Sequence, residues 1–127
     1  MTLPDLLEQA ARLMPERFMR DQKGDRYLYL SGERHMSAAY RVTEGRNWSY
    51  LNVCEAGTDR EGHWLLREGA EREIMARGWG CYTSIESGGQ AGANVYPPND
   101  DIGFPTLAPT PAEALLSALL QAVEATP

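Results

Sequence analysis

The residues best suited to binding a ligand lie between Met36 and Glu55, where polar and apolar side chains alternate. The pattern predicts two antiparallel strands, over 36–43 and 48–55, joined by a four-residue loop. Side chains alternate between the two faces of a strand. With a loop of this length, an arginine, two aromatic rings and an amide lie on the same face of the hairpin. These side chains are Arg41, Trp48, Tyr50 and Asn52. The rings can stack on a flat group while the arginine pairs with a phosphate, which predicts a site for a small anionic, nucleotide-like ligand.

The same pattern has a second interpretation, in which another layer covers this face and the aromatic rings belong to the core. The predicted register pairs Arg41 with Tyr50 and Thr43 with Trp48. A change of one residue in the loop would exchange the faces of the hairpin. The register of the hairpin therefore decides whether Arg41 and the aromatic rings share a face.

The two histidines, His35 and His63, lack the neighbours that histidine chemistry requires. A zinc site needs further ligands at a spacing such as HxxxH or CxxC, and the sequence contains neither motif. No nucleophile stands out beside either histidine. We expect exposed or capping histidines, with no metal and no cofactor. A small hydrolase that uses His35 or His63 remains an alternative.

Two further stretches resemble functional loops without carrying the required residues. The "GWGC" run at 78–81 lacks the serine of a nucleophile elbow and the lysine of a phosphate-binding loop. It predicts a structural connection in which Gly78 ends a helix, Trp79 enters the core and Gly80 begins a strand. The acidic "PPNDDIG" run at 97–103 lacks the calcium-binding pattern of an EF-hand, so we expect a solvated turn.

The elements that must position these residues follow from hydrophobic periodicity. Predicted strands cover 26–31, 36–43, 48–55, 80–86 and 92–97, and predicted helices cover 3–14, about 65–77 and a segment after Thr110. Residues 17–26 and 56–63 are predicted to be a loop and a polar turn. The order α-β-β-β-α-β-β-α predicts a single α+β domain over residues 1–127, with a mostly antiparallel sheet of about five strands covered by helices.

The last helix has the clearest signal in the sequence. Thr110, Pro111 and Glu113 suit its N-cap, first and third positions, which predicts a capping box. An apolar stripe follows, formed by Ala112, Leu115, Leu116, Leu119, Leu120 and Val123. We expect this helix to supply much of the core.

Charge and composition narrow the classes of partner. The net charge is −6, and residues 65–127 carry three basic and eight acidic groups, which argues against nucleic acid as a partner. No apolar run approaches the ~20 residues of a membrane helix, and the start of the sequence lacks a secretory signal. Cys54 and Cys81 have no CxxC spacing, so we expect two half-buried free thiols and a cytoplasmic protein.

The second half of the sequence resembles the small phage proteins of the ABA-sandwich type. In that family a helix that ends in Gly-Trp leads into a β-hairpin and then into a helix that opens with Thr-Pro. The resemblance covers about 67–125, and its matching residues are Gly78, Trp79, Tyr96, Pro97, Thr110, Pro111, Ala114 and Leu115. It implies a phage or prophage accessory protein in the bacterial cytosol and carries over no catalytic residues.

Together these features predict a non-enzymatic accessory binding protein of phage type. Its expected partner is a small nucleotide-like ligand, and countering a host defence is one such role. The second class is a protein-interaction module that binds a host protein or forms a homo-oligomer through exposed aromatic residues. A ligand binder should gather its arginine and aromatic side chains in a concave pocket, whereas an interaction module should present them on a flat patch.

Overall fold

The computed structural model describes residues 2–21, 26–30, 36–41, 47–50, 55–57 and 59–126, and side chains within 2–20 and 62–126. The helices in these ranges are α1 (Leu3–Leu13), α2 (Asp59–Ala76) and α3 (Pro111–Ala125). The strands before α2 are β1 (Phe18–Asp21), β2 (Arg26–Leu30), β3 (Met36–Arg41), β4 (Asn47–Tyr50) and β5 (Glu55–Gly57). The strands after α2 are β6 (Gly80–Ile85), β7 (Ala91–Tyr96) and β8 (Thr106–Ala108).

The strands form two antiparallel sheets, each with its strands in chain order. β1–β5 form a five-stranded meander, and β6–β8 form a three-stranded sheet. The predicted α+β class is confirmed. A total of about five strands is not confirmed, because the described ranges contain eight.

The strands that the sequence did not predict are short and depend on their neighbours. β1 lies in the charged stretch predicted as a loop, and β8 has three residues. The predicted strand 48–55 is replaced by β4 and β5, which pair with each other. Segments this short gain their strand conformation from a partner strand more than from their own composition.

Helices separate the two sheets. α1 and α2 contact strands of the first sheet, whereas α3 contacts α1, α2 and all three strands of the second sheet. The predicted apolar stripe of α3 is confirmed as core, since Leu115, Leu116 and Leu119 are fully buried. In the part of the chain that the structure describes, no helix is long and apolar enough to cross a bilayer.

α2 begins at Asp59, six residues before the predicted start, so part of the predicted polar turn is helical. Its buried side chains, His63, Leu66, Ala70 and Ile74, recur at helical spacing. Glycines at 62 and 69 weaken the intrinsic preference for a helix. For this reason the sequence does not predict the first turn of α2. Packing against α3 overrides that preference.

The short connection between α2 and β6 has a structural role, as the sequence predicts. Gly78, two residues after the end of α2, adopts a left-handed φ of 72°. Its N–H donates to the carbonyl of Met75 at 3.0 Å, and the N–H of Trp79 donates to the carbonyl of Ile74 at 3.1 Å. These two bonds form a Schellman motif, which favours glycine at this position. Trp79 is partly buried against the core, and β6 begins at Gly80.

Candidate functional site

The hairpin that carries the predicted ligand site has a different register from the predicted one. The structure pairs Arg41 with Asn47 and Tyr40 with Trp48. The paired residues Arg41 and Asn47 are separated by five residues rather than four, which shifts the register by an odd number of positions. Since directly paired residues share a face, the Arg41 position lies on the face opposite Trp48.

The predicted pairing of Arg41 with Tyr50 is therefore wrong, and so is the face that it gave to Arg41, Trp48 and Tyr50. Asn52, the fourth predicted member of the site, lies outside the described residues. Ligand binding by these residues stays a prediction, and the observed register disfavours it.

A groove of about 420 Å³ lies on the second sheet, on the face turned away from α3. We call it the outer groove and define it by Tyr82, Ser84, Glu86, Gly92, Pro105 and Leu107. The register of β6 and β7 places Ser84 opposite Gly92, and that of β7 and β8 places Gly92 opposite Leu107. These three residues therefore meet on one face, while Ala91, Ala93 and Val95 of the opposite parity are buried in the core.

The walls of the outer groove are apolar and one end is acidic. Tyr82 is 51% exposed and Leu107 is 62% exposed, so both side chains present apolar surface to solvent. Ser84 donates a hydrogen bond from Oγ to Oε1 of Glu86 at 2.7 Å. Glu86 is the one charged residue among the described residues that line the groove.

Gly92 keeps the floor of the outer groove open. A Cβ atom at this position would lie 2.6 Å from Oγ of Ser84 and 3.0 Å from Oε1 of Glu86. Both distances are shorter than an ordinary van der Waals contact. The absence of a side chain at Gly92 therefore leaves room for the bond between Ser84 and Glu86.

The wall that contains Pro105 is held in place by the buried side chain of Asn94 on β7. Its Nδ2 donates to the carbonyl of Ile102 at 3.0 Å, and its Oδ1 accepts from the N–H of Phe104 at 2.7 Å. Oδ1 of Asp100 also accepts from the N–H of Gly103 at 2.9 Å. The acidic segment forms a turn, as predicted, and these bonds fix the chain that leads into β8.

Tyr82 of the groove lies close to Tyr96, the last residue of β7. The ring centroids of Tyr82 and Tyr96 are 5.7 Å apart, with the rings inclined by 39°. A hydrogen bond with Tyr82 is the main cause that raises the pKa of Tyr96, and desolvation adds to it. The phenol of Tyr96 is therefore neutral at physiological pH.

His63 occupies a different environment from the predicted one. It lies on α2 rather than in a loop, and its side chain is buried. Its Nε2 lies 3.5 Å from Oε1 of Glu113, a residue in the first turn of α3. The prediction of an exposed or capping residue is wrong for His63. His35 lies outside the described residues.

Cys81 is a free thiol on β6, as predicted, but it is exposed rather than half-buried. Desolvation and the nearby carboxylate of Glu71 raise the pKa of this thiol, so it is protonated at neutral pH. Cys54 lies outside the described residues. Among the described side chains, no group of three or more His, Cys, Asp or Glu is arranged to hold a metal ion.

Comparison with known proteins assigns no family to the chain. No protein-family model matches it, and neither a curated protein nor a solved structure is detectably similar to it. The resemblance of 67–125 to the phage ABA-sandwich proteins therefore stays a prediction.

Proposed function

We propose that this protein is a non-enzymatic binding protein that holds a segment of a partner protein in the outer groove. The observation that carries the proposal is the combination of exposed apolar walls, at Tyr82, Pro105 and Leu107, with the Glu86 carboxylate at one end. Exposed apolar surface beside an open cavity is typical of an interaction site. The phage setting and a role against host defence belong to the same proposal and depend on the sequence resemblance.

The chemistry of the groove favours a basic side chain in the partner segment. The stem of a lysine or arginine is apolar and would lie along Tyr82 and Leu107. Its cationic group would then reach the carboxylate of Glu86, which already accepts a bond from Ser84. The tyrosine ring can add a cation–π contact.

The same features disfavour a phosphate-bearing ligand in this groove. Glu86 would repel a phosphate, and no basic residue is found among the described residues of the lining. The interaction-module interpretation therefore takes precedence over the nucleotide interpretation. The structure does not support the hydrolase alternative at His63, because that side chain is buried between two helices and is not accessible to a substrate.

The proposal can be tested with four capped pentapeptides, Ala-Leu-X-Leu-Ala, in which X is lysine, arginine, norleucine or glutamate. Each is titrated into ¹⁵N-labelled protein and followed by NMR. We expect the lysine and arginine peptides to shift the amide signals of Glu86, Gly92 and Leu107. We expect about tenfold weaker binding with norleucine, because a hydrogen bond to a charged group is lost.

Two variants and one control separate the groove from non-specific attraction to an acidic protein. Glu86→Gln should abolish the preference for lysine over norleucine, and Leu107→Ser should weaken every peptide. Glu124→Gln removes the same charge from an exposed position on α3 and should change nothing. Absence of binding by every peptide, or a lysine preference that survives Glu86→Gln, would refute the proposal. A parallel titration with adenosine monophosphate tests the site predicted from the sequence.

A further inference from the structure

β6 is an edge strand of the second sheet. Within the described ranges it pairs with β7 alone, in a regular register without a bulge. Four of its six residues are exposed, and Ile85 is 89% exposed. Its sequence, "GCYTSI", contains neither a charged residue nor a proline.

Natural sheets protect an edge of this kind with charges, prolines, bulges or very short strands. The opposite edge of the same sheet follows that rule, because β8 has only three residues. Among the described residues β6 has none of these four protections, and a six-residue strand has about 20 Å of backbone that β7 leaves unpaired on one side. Such an edge is competent to pair with another strand.

We propose that β6 pairs antiparallel with β6 of a second copy of this chain, joining two three-stranded sheets into one six-stranded sheet across a two-fold axis. β6 contributes Tyr82 and Ser84 to the outer groove, whereas Cys81 and Ile85, at the alternate positions of the strand, do not line it. The inference therefore goes beyond the proposed function and does not depend on it.

The charges at the two ends of β6 favour a second copy in this orientation. Arg77, whose Nε also pairs with Glu73, precedes the strand, and Glu86 follows it. Antiparallel pairing brings the acidic end of each strand to the basic end of its partner, whereas parallel pairing would bring like charges together. The strand itself is uncharged, so two copies do not repel each other along it.

The flank of α2 beside β6 supports the same arrangement. Nη2 of Arg67 donates to Oγ1 of Thr83 at 2.8 Å, which places this part of α2 alongside the strand. Arg67 also pairs with Glu71, with 3.0 Å between Nε and Oε1. Each copy therefore presents both signs of charge beside the edge, and a two-fold axis can match the arginine of one copy with the glutamate of the other.

Sedimentation equilibrium across a range of concentrations tests the inference. We expect wild-type protein to approach twice its chain mass of 14.1 kDa as concentration rises. The double variant Cys81→Lys/Ile85→Lys places charges on two exposed positions of β6 and should weaken the dimer by about a hundredfold. Met75→Lys adds a charge at an exposed apolar position of α2 and should leave the dimer intact.

Hydrogen exchange on the wild type gives a second measurement that requires no variant. Amides of β6 should exchange more slowly at high concentration, while those of β8 should not change. A monomeric mass at every concentration would overturn the inference. So would a dimer that survives the double lysine variant, or one whose β6 amides exchange at the same rate as in the monomer.

Discussion

Nε2 of His63 lies 3.5 Å from Oε1 of Glu113, and both side chains are buried where α2 meets the first turn of α3. The sequence predicts a capping box between Thr110 and Glu113. The Thr110 half of that prediction is confirmed, because its Oγ1 accepts from the N–H of Glu113 at 3.2 Å. The carboxylate of Glu113 faces the other helix, so the residue joins two elements.

We expect Glu113→Ala to lower the free energy of unfolding by about 1–3 kcal/mol, because it leaves the buried imidazole without its carboxylate. Glu113→Gln keeps the size and an acceptor, and should cost less. A double-mutant cycle with His63→Ala, followed by urea denaturation, measures the coupling between the two side chains. A coupling energy near zero would show that the contact does not contribute to stability.

Leu116→Ala and Leu119→Ala should each cost about 2–5 kcal/mol, because both side chains are fully buried in the core. Gln121→Ala, at an exposed position of the same helix, is the control and should change stability little. Thermal melting followed by circular dichroism compares the three variants. An unchanged midpoint for both leucine variants would contradict the central position of α3.

Gly103→Ala should destabilise the protein more than Gly88→Ala does. Both glycines have a left-handed φ, of 70° and 92°, so each alanine carries a similar backbone cost of about 1–2 kcal/mol. A Cβ at Gly88 meets open space, whereas one at Gly103 would lie 2.8 Å from the carbonyl oxygen of Val95. Denaturant unfolding of both variants measures the cost of the steric overlap at Gly103. Equal decreases in the free energy of unfolding would argue against the close packing of this turn on β7.

Glu73→Ala should lower the free energy of unfolding by about 1.5–3 kcal/mol. Its two carboxylate oxygens accept from Nε of Arg17 at 3.0 Å and from Nε of Arg77 at 2.9 Å, in a largely buried environment. Glu68→Ala breaks an exposed pair with Arg72 and should cost less than about 0.5 kcal/mol. Chemical denaturation of the two variants compares them, and similar losses would show that burial adds nothing to the Glu73 contacts.

The parts of the fold that the sequence predicted correctly have strong local signals. α3 has a capping threonine and a continuous apolar stripe, and α2 ends at a glycine with positive φ. β1 and the first turn of α2 could not be predicted in the same way. Their residues are charged or rich in glycine, and they take their conformation from a partner strand or from packing against α3.

The candidate site was harder to predict than the fold because it depends on register. One additional residue between the paired positions of β3 and β4 separates Arg41 from Trp48. The outer groove had a signal in the sequence: strands 80–86 and 92–97 were both predicted, and Tyr82 and Ser84 share a parity. The positions of Gly92 and Leu107 in the groove could not be predicted, because they depend on the pairing of β8 with β7.

The central position of α3 also has a consequence for synthesis on the ribosome. α3 is the last described element to be translated, yet α1, α2 and the second sheet all pack against it. Until its leucines leave the exit tunnel, the earlier helices lack the apolar packing that α3 supplies, and those surfaces stay open to chaperones or to other nascent chains. Closure of the core is therefore a late event, and a ribosome stalled before residue 115 should hold a chain that proteases still cleave readily.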